Sequence, residues 1–116
     1  MTPDIFLEQL TSEPLNIEFA ETMAIIDAFY DYTPTAFTNG ELENAAGSNE
    51  GSCKIFAFAK LNGLTEAQTL ACFGRYYRDD VLAHPEGTDH GNIRNFIQHG
   101  WAGIEFHGEP LLRKNV

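Results

Sequence analysis

Basic residues are scarce in this chain: seven Lys and Arg stand against 17 Asp and Glu in 116 residues, a formal net charge of −10. The few cations are scattered and several sit beside carboxylates, so no basic stripe exists to neutralise phosphates and no nucleic-acid partner is expected. Long apolar runs are missing as well. No stretch approaches the roughly 20 residues that span a bilayer, so no membrane partner is expected either. Cysteine is limited to Cys53 and Cys72, each set in apolar helical sequence. That placement points to two reduced, buried thiols and leaves no paired-cysteine metal motif. The opening residues, MTPDIFLEQL, lack the basic start, apolar stretch and small-residue cleavage site of a secretory signal, so the expected location is cytoplasmic. There is no phosphate loop, nucleophile elbow, zinc-protease helix or dinucleotide fingerprint. Residues 31–42 offer some calcium-loop oxygens, but Ala36 stands where the loop needs Gly and Leu42 where it needs a bidentate Glu.

What is present is the material of one core: 43% hydrophobic residues, nine of them Phe. At this length the expectation is a single domain, 1–116, with one pocket at most. The acidic surface reads as a well-solvated shell, consistent with a monomer and able to attract basic proteins or cations.

Apolar spacing predicts a mainly α, compact helical bundle of about five helices. Thr2 and Pro3 form a helix start, with Ile5, Phe6 and Leu10 on one face before Pro14, and this first helix is expected to be the least firmly held. A second helix over residues 18–31 carries Phe19, Met23, Ile26 and Tyr30 on one side and must stop before Pro34. Residues 33–51 are rich in turn formers, with a short extended piece at 36–38, and form a candidate pocket wall. KIFAFAK could alternate as a strand or lie in a helix buried nearly all round. The Asn62-Gly63-Leu64 stop, with Gly in the left-handed conformation, favours the helix. Thr65 then caps the longest predicted helix, residues 66–83. After the Pro85 turn, Thr88 or Asp89 should cap a helix with Ile93, Phe96 and Ile97 inward and Gly100 at its end. Residues 104–106 alternate like a strand and could pair with 36–38 in a two-stranded patch.

Potential chemistry gathers between Asp79 and Trp101. His84, Asp89 and His90, joined by Asp79 or Asp80, are residue types that bind zinc, iron or manganese, yet their spacing matches no ligand motif. A cation is equally at home at the helix end near His84, and Asp89 suits a helix cap without any metal. Cys53 follows Gly51 and Ser52 at a helix start, where a thiol pKa falls, so it is a nucleophile candidate if a histidine is near and a small core residue otherwise. Asp79 fits an exposed pair with Arg75 one turn earlier better than a share in acid–base work. Among the aromatics, Tyr30 and Tyr77 should face inward, with Tyr32 and Tyr76 at the edge and their polar tips free. The ligand-contact candidates are therefore Tyr32, Asn39, Glu50, Tyr76, His84, Asp89 and His90. No cofactor is expected.

The segments YDYTPTAFTNG, NEGSCKIFAFA, CFGRYYRDDVLAHPEGTDHGNIRNF and HGWAGIEF together resemble the HopJ type III effector family over almost the whole chain. The resemblance implies a bacterial protein delivered into a plant host cell, and it brings no activity or catalytic residue with it. Against that implication, Asp4 and Glu8 lie in a capped first helix, whereas a needle-secreted N-terminus is unfolded and poor in acids. The favoured functional reading is a non-enzymatic binding or protein-interaction module. Its polar-rimmed cleft would lie between residues 33–51 and 84–90, taking an unidentified protein or small molecule. The alternative is a small hydrolase or metal-dependent enzyme using a Cys/His/Asp cleft at the same place.

Overall fold

The KIFAFA run decides the architecture. In the computed structural model, which describes residues 1–114, helix α3 (Glu50–Leu61) buries Cys53, Ile55, Phe56, Ala57, Phe58 and Ala59. A helix apolar on nearly every face must be enclosed by other elements. Phe56 meets the rings of Phe37, Phe73 and Phe96 at centroid distances of 6.1, 5.5 and 5.0 Å. Phe58 meets Phe6 and Tyr30 edge-on at 5.9 and 5.6 Å.

Helix α1 (Pro3–Ser12) begins as its sequence signals: Thr2 accepts the Ile5 N–H at 3.3 Å and Pro3 opens the helix. Its buried residues, Phe6 and Leu10, belong to the main core. Helix α2 (Phe19–Phe29) starts with a reciprocal Glu18–Glu21 capping box. It ends two residues before the predicted Asp31, because Tyr30 is drawn into a strand. Helix α3 stops as expected, with Gly63 at φ +63° and the Leu64 N–H on the Ala59 carbonyl at 3.0 Å.

The long helix predicted over 66–83 is not formed. Helix α4 (Glu66–Ala71) is capped by Thr65 and Gln68, but the chain then turns through Gly74 at φ +59°. A Cβ at Gly74 would lie 2.6 Å from the Phe19 nitrogen, so only glycine lets this turn pass the start of α2. The Thr22 hydroxyl donates to the Cys72 carbonyl at 2.8 Å and fills an acceptor left open by the break. The chain resumes as a π-helical segment (Tyr76–Val81), in which the Leu82 N–H reaches back to the Tyr77 carbonyl at 3.0 Å. The apolar series Leu70, Phe73, Tyr77 and Val81 concealed this break, because each residue still faces the core on either side of it. Arg75 pairs with Glu18 at 3.2 Å, not with Asp79 as its helical spacing suggested.

Helix α5 (Gly91–His99) is capped by neither Thr88 nor Asp89; its N-cap is His90, in the left-handed region at φ +51°. Ile97, expected inside, is 49% exposed, and Asn92 is buried in its stead. The helix is rotated to bring that amide to its partners.

Among the described residues five strands replace the single predicted pair. The expected partners do meet: β2 (Phe37–Asn39) runs antiparallel to β4 (Ile104–Phe106), with Phe37 opposite Phe106. A tight turn at Gly40 and Glu41 adds β3 (Leu42–Asn44) to the other edge of β2. Strands β1 (Tyr30–Tyr32) and β5 (Leu111–Arg113) form a second antiparallel pair. Between the two ladders, the His107 N–H donates to the Ala36 carbonyl at 3.0 Å and the Thr33 N–H to the Pro110 carbonyl at 2.9 Å. The two sheets are thus one long ribbon, interrupted where Pro34 and Pro110 lack the N–H to continue it. Among the described residues no helix is long and apolar enough to cross a membrane.

Gly63 and Gly74 share a backbone conformation but not surroundings, since nothing lies within 4 Å of a Cβ at Gly63. Gly63→Ala should therefore cost about 1 kcal/mol, the left-handed penalty alone. Gly74→Ala should cost about 3 kcal/mol, because the clash with α2 is added. Urea denaturation of the two variants checks the difference.

Candidate functional site

A cleft of about 490 Å³ opens between the first turns of α3 and α5. Phe73 and Ile93 line it from the core side, and Phe19, Leu42 and Tyr76 supply further apolar wall. Asn49, Ser52, His90 and Asn92 supply the polar part. The π-helical segment delivers Tyr76, whose ring stands edge-on to Phe19 at 5.1 Å and lies beside the His90 imidazole at 5.3 Å. Asp80, from the same segment, meets His90 Nε2 at 3.0 Å.

Both flanking helices begin with a non-glycine residue in the left-handed region, Asn49 at φ +52° and His90 at φ +51°. Neither side chain caps its helix. The N–H groups of Glu50, Gly51 and Ser52, and of Gly91, Asn92 and Ile93, therefore have no partner among the described residues. Unpaired first-turn amides carry the positive end of a helix dipole. Two such ends border one cleft.

The candidate residues divide into four groups. Tyr76 and His90 line the cleft. His84 and Asp89 lie in the exposed turn beside it, which Arg94 holds shut by donating to the carbonyls of His84 and Asp89 at 2.8 and 2.6 Å and to the Asp89 carboxylate at 2.7 Å. The Arg94 hydrogen bond is the main reason that the Asp89 carboxyl is held below its ordinary pKa. Among the described residues no group of three or more His, Cys, Asp and Glu side chains is placed to hold a metal ion, and His84, Asp89 and His90 do not form one. The guanidinium occupies the carboxylate that such a site would need.

Tyr32, Glu50 and Cys53 meet elsewhere. The Tyr32 hydroxyl, expected at a free edge, is buried without a well-formed hydrogen bond. Burial above all, then Cys53 and Glu50 nearby, push its pKa upward. Cys53 is fully buried, its thiol directed at the Thr35 carbonyl at 3.7 Å, and desolvation raises its pKa to about 11. This is the reverse of an activated nucleophile, since burial cancels what a helix start would lower. Both cysteines are free and buried, as their sequence settings predict.

Asn39, read from the sequence as a ligand contact, is 0% exposed. Its amide donates to the Asn92 main-chain and side-chain oxygens at 2.8 and 3.0 Å. Asn44 and Asn92 exchange hydrogen bonds at 3.1 and 3.0 Å, and Asn49 donates to Asn44 at 2.7 Å. This buried network joins β2, β3 and the starts of α3 and α5, and it fixes the cleft's polar wall. Sequence reasoning missed Asn44, Asn49 and Asn92. The available signal was Asn92 itself, a polar residue next to Ile93 on the inward stripe of an amphipathic helix.

The sequence model of the HopJ type III effector protein family matches residues 4–111. A solved structure, described as the crystal structure of unknown function protein VPA0580, is similar at 57% identity and a TM-score of 0.97, over 98% of this chain and 95% of that one. No curated protein matches the chain.

Asn92→Ala should destabilise the protein by about 2 kcal/mol, because it removes the side-chain oxygen shared by the buried Asn39 and Asn44 amides and the donor to Asn44, leaving Asn39 only the main-chain oxygen at position 92. Thermal melts and denaturant titration read the loss. Native Cys53 should react with iodoacetamide at least about tenfold more slowly than an ordinary thiol, because burial raises its pKa to about 11 and keeps the reagent from the sulfur. Alkylation timed by mass spectrometry near neutral pH, with the denatured protein as reference, checks it.

Proposed function

The chain belongs to the HopJ type III effector protein family, and from that premise we propose that it is a non-enzymatic binding module whose ligand enters the cleft between the starts of α3 and α5. The observation that carries this reading is that one cavity is bordered both by residues of the 33–51 segment, Leu42 and Asn49, and by His90 from the end of the proline turn. An apolar pocket with a few convergent polar groups is the usual form of a small-molecule site. The wall of Phe19, Phe73 and Tyr76 suits a flat apolar body. The amides of Gly51, Ser52, Gly91 and Asn92 suit an acceptor group, best a carboxylate or phosphate. His90, held by Asp80, can donate to the same group when protonated.

A screen of small planar carboxylates and phosphates by amide-resolved NMR tests the reading. Binders should shift the Gly51, Ser52, Gly91 and Asn92 amides together, and Tyr76→Ala should weaken them at least tenfold, about 1.4 kcal/mol, without changing the far-UV spectrum. Fragments that bind only elsewhere, or that ignore Tyr76→Ala, would remove the cleft from consideration.

A further inference from the structure

His90 ties together three parts of the cleft's rim. Its backbone starts α5 from the left-handed region at φ +51°, a conformation that costs any residue with a Cβ and persists because the ring is held on several sides. The ring lies beside Tyr76, with centroids 5.3 Å apart. Its Nε2 stands 3.0 Å from the Asp80 carboxylate and 3.8 Å from that of Asp89. Tyr76 and Asp80 come from the same π-helical segment. Asp80 also lines a neighbouring hollow of about 420 Å³ that shares Phe19 and Tyr76 with the cleft.

Charge around this ring is unbalanced. On its own turn, Asp89 is matched by Arg94, whose guanidinium lies 2.7 Å away and holds the Asp89 carboxyl below its ordinary pKa. Behind Tyr76, Arg75 and Arg78 are both taken by Glu18 at the start of α2. Across the cleft, Leu42 of β3 and Asn49 and Ser52 of α3 bring no charge, and Glu50 lies toward Tyr32. The first-turn amides of α5 add partial positive charge. Among the described residues Asp80 has no ion-pair partner other than His90. The rim is therefore negative while the imidazole is neutral and balanced once it is protonated, a change that imidazoles make between about pH 5 and 8.

We propose that His90 makes the cleft a proton-linked site, in which an anionic ligand and a proton on His90 bind together, so that the ligand is held in mildly acidic surroundings and released in alkaline ones. The inference rests on the binding reading of the cleft and adds the regulation of that site. At higher pH an arriving anion meets the open charge of Asp80. With the proton in place, the imidazolium satisfies Asp80 and puts a cation beside the Tyr76 ring. Coupling of this kind is reciprocal: the ligand raises the proton affinity of His90 by the factor through which the proton raises the ligand's.

Benzoate is a suitable probe, because a carboxylate of this kind stays ionised above about pH 5. Titrated into the full chain and followed at the Gly51, Ser52, Gly91 and Asn92 amides, it should bind at least about fivefold more tightly near pH 5.5 than near pH 8.5, the low end of couplings between sites. Saturating benzoate should raise the pH midpoint of the His90 ring resonance by about 0.7, the same factor read from the proton's side. His90→Asn, which suits the left-handed position and takes up no proton, should bind at the wild-type alkaline level at both pH values. Asp80→Asn removes the unbalanced charge and should bind at about pH 8.5 at least about fivefold more tightly than the wild-type protein. Equal affinity at the two pH values, a pH response that survives His90→Asn, indifference to Asp80→Asn, or a His90 midpoint that benzoate leaves in place would each overturn the proposal while leaving the cleft a binding site. Cleft amides unmoved by benzoate at either pH would remove the binding reading, and the proposal with it.

Discussion

A helix with almost no face for solvent is the constraint from which the rest of this structure follows. Helix α3 cannot sit at a surface, so α1, α2 and α4 cover part of it and the long ribbon covers the rest. Phe56 and Phe58 serve as the points where these layers touch, each in contact with aromatic rings from separate parts of the chain. Local signals only place the ends of the covering elements. The Thr2 and Thr65 caps, the Glu18–Glu21 box and the Gly63 stop let short helices finish without stranded main-chain groups.

Enclosing a helix so nearly leaves its ends as the main places where it can meet solvent. At the C-terminal end the exposed groups are satisfied internally by the Gly63 turn. At the N-terminal end they are not, because Asn49 turns its side chain to Asn44 and away from the first turn. The same choice is made at His90, whose ring goes to Asp80 and Tyr76. Two side chains suited to capping are thus committed to holding walls. The amides they would have covered line open space, and the buried asparagines keep the two helix starts in register with the hairpin between them.

Helix existence was largely legible in the sequence, because periodic apolar residues and caps are local. So was the all-round burial of α3, from an unbroken apolar run followed by a glycine stop. The break at Gly74 was not, since the apolar series continues across it and the cause is a tertiary approach by the Phe19 backbone. Strand content was under-read for a similar reason: segments of three residues show too little alternation, and their pairing is settled by partners far along the chain. At the cleft, Tyr76 and His90 stood out as side chains with exposed polar or aromatic character. Asn92 and Asn49 did not, because nothing in a lone asparagine tells whether it caps, turns or joins a network. Cys53 shows the opposite error, where a favourable local setting is cancelled by surroundings that the sequence does not display.

The ribbon also bears on how the chain reaches this shape. The ribbon brings together residues such as Thr38 and His107, 69 positions apart, while the hydrogen bonds within each helix link near neighbours. Closing so long a loop costs entropy before any ladder bond forms, and such contacts dominate the height of a folding barrier. Closing the ribbon therefore weighs more on the folding barrier than the hydrogen bonds inside the helices do.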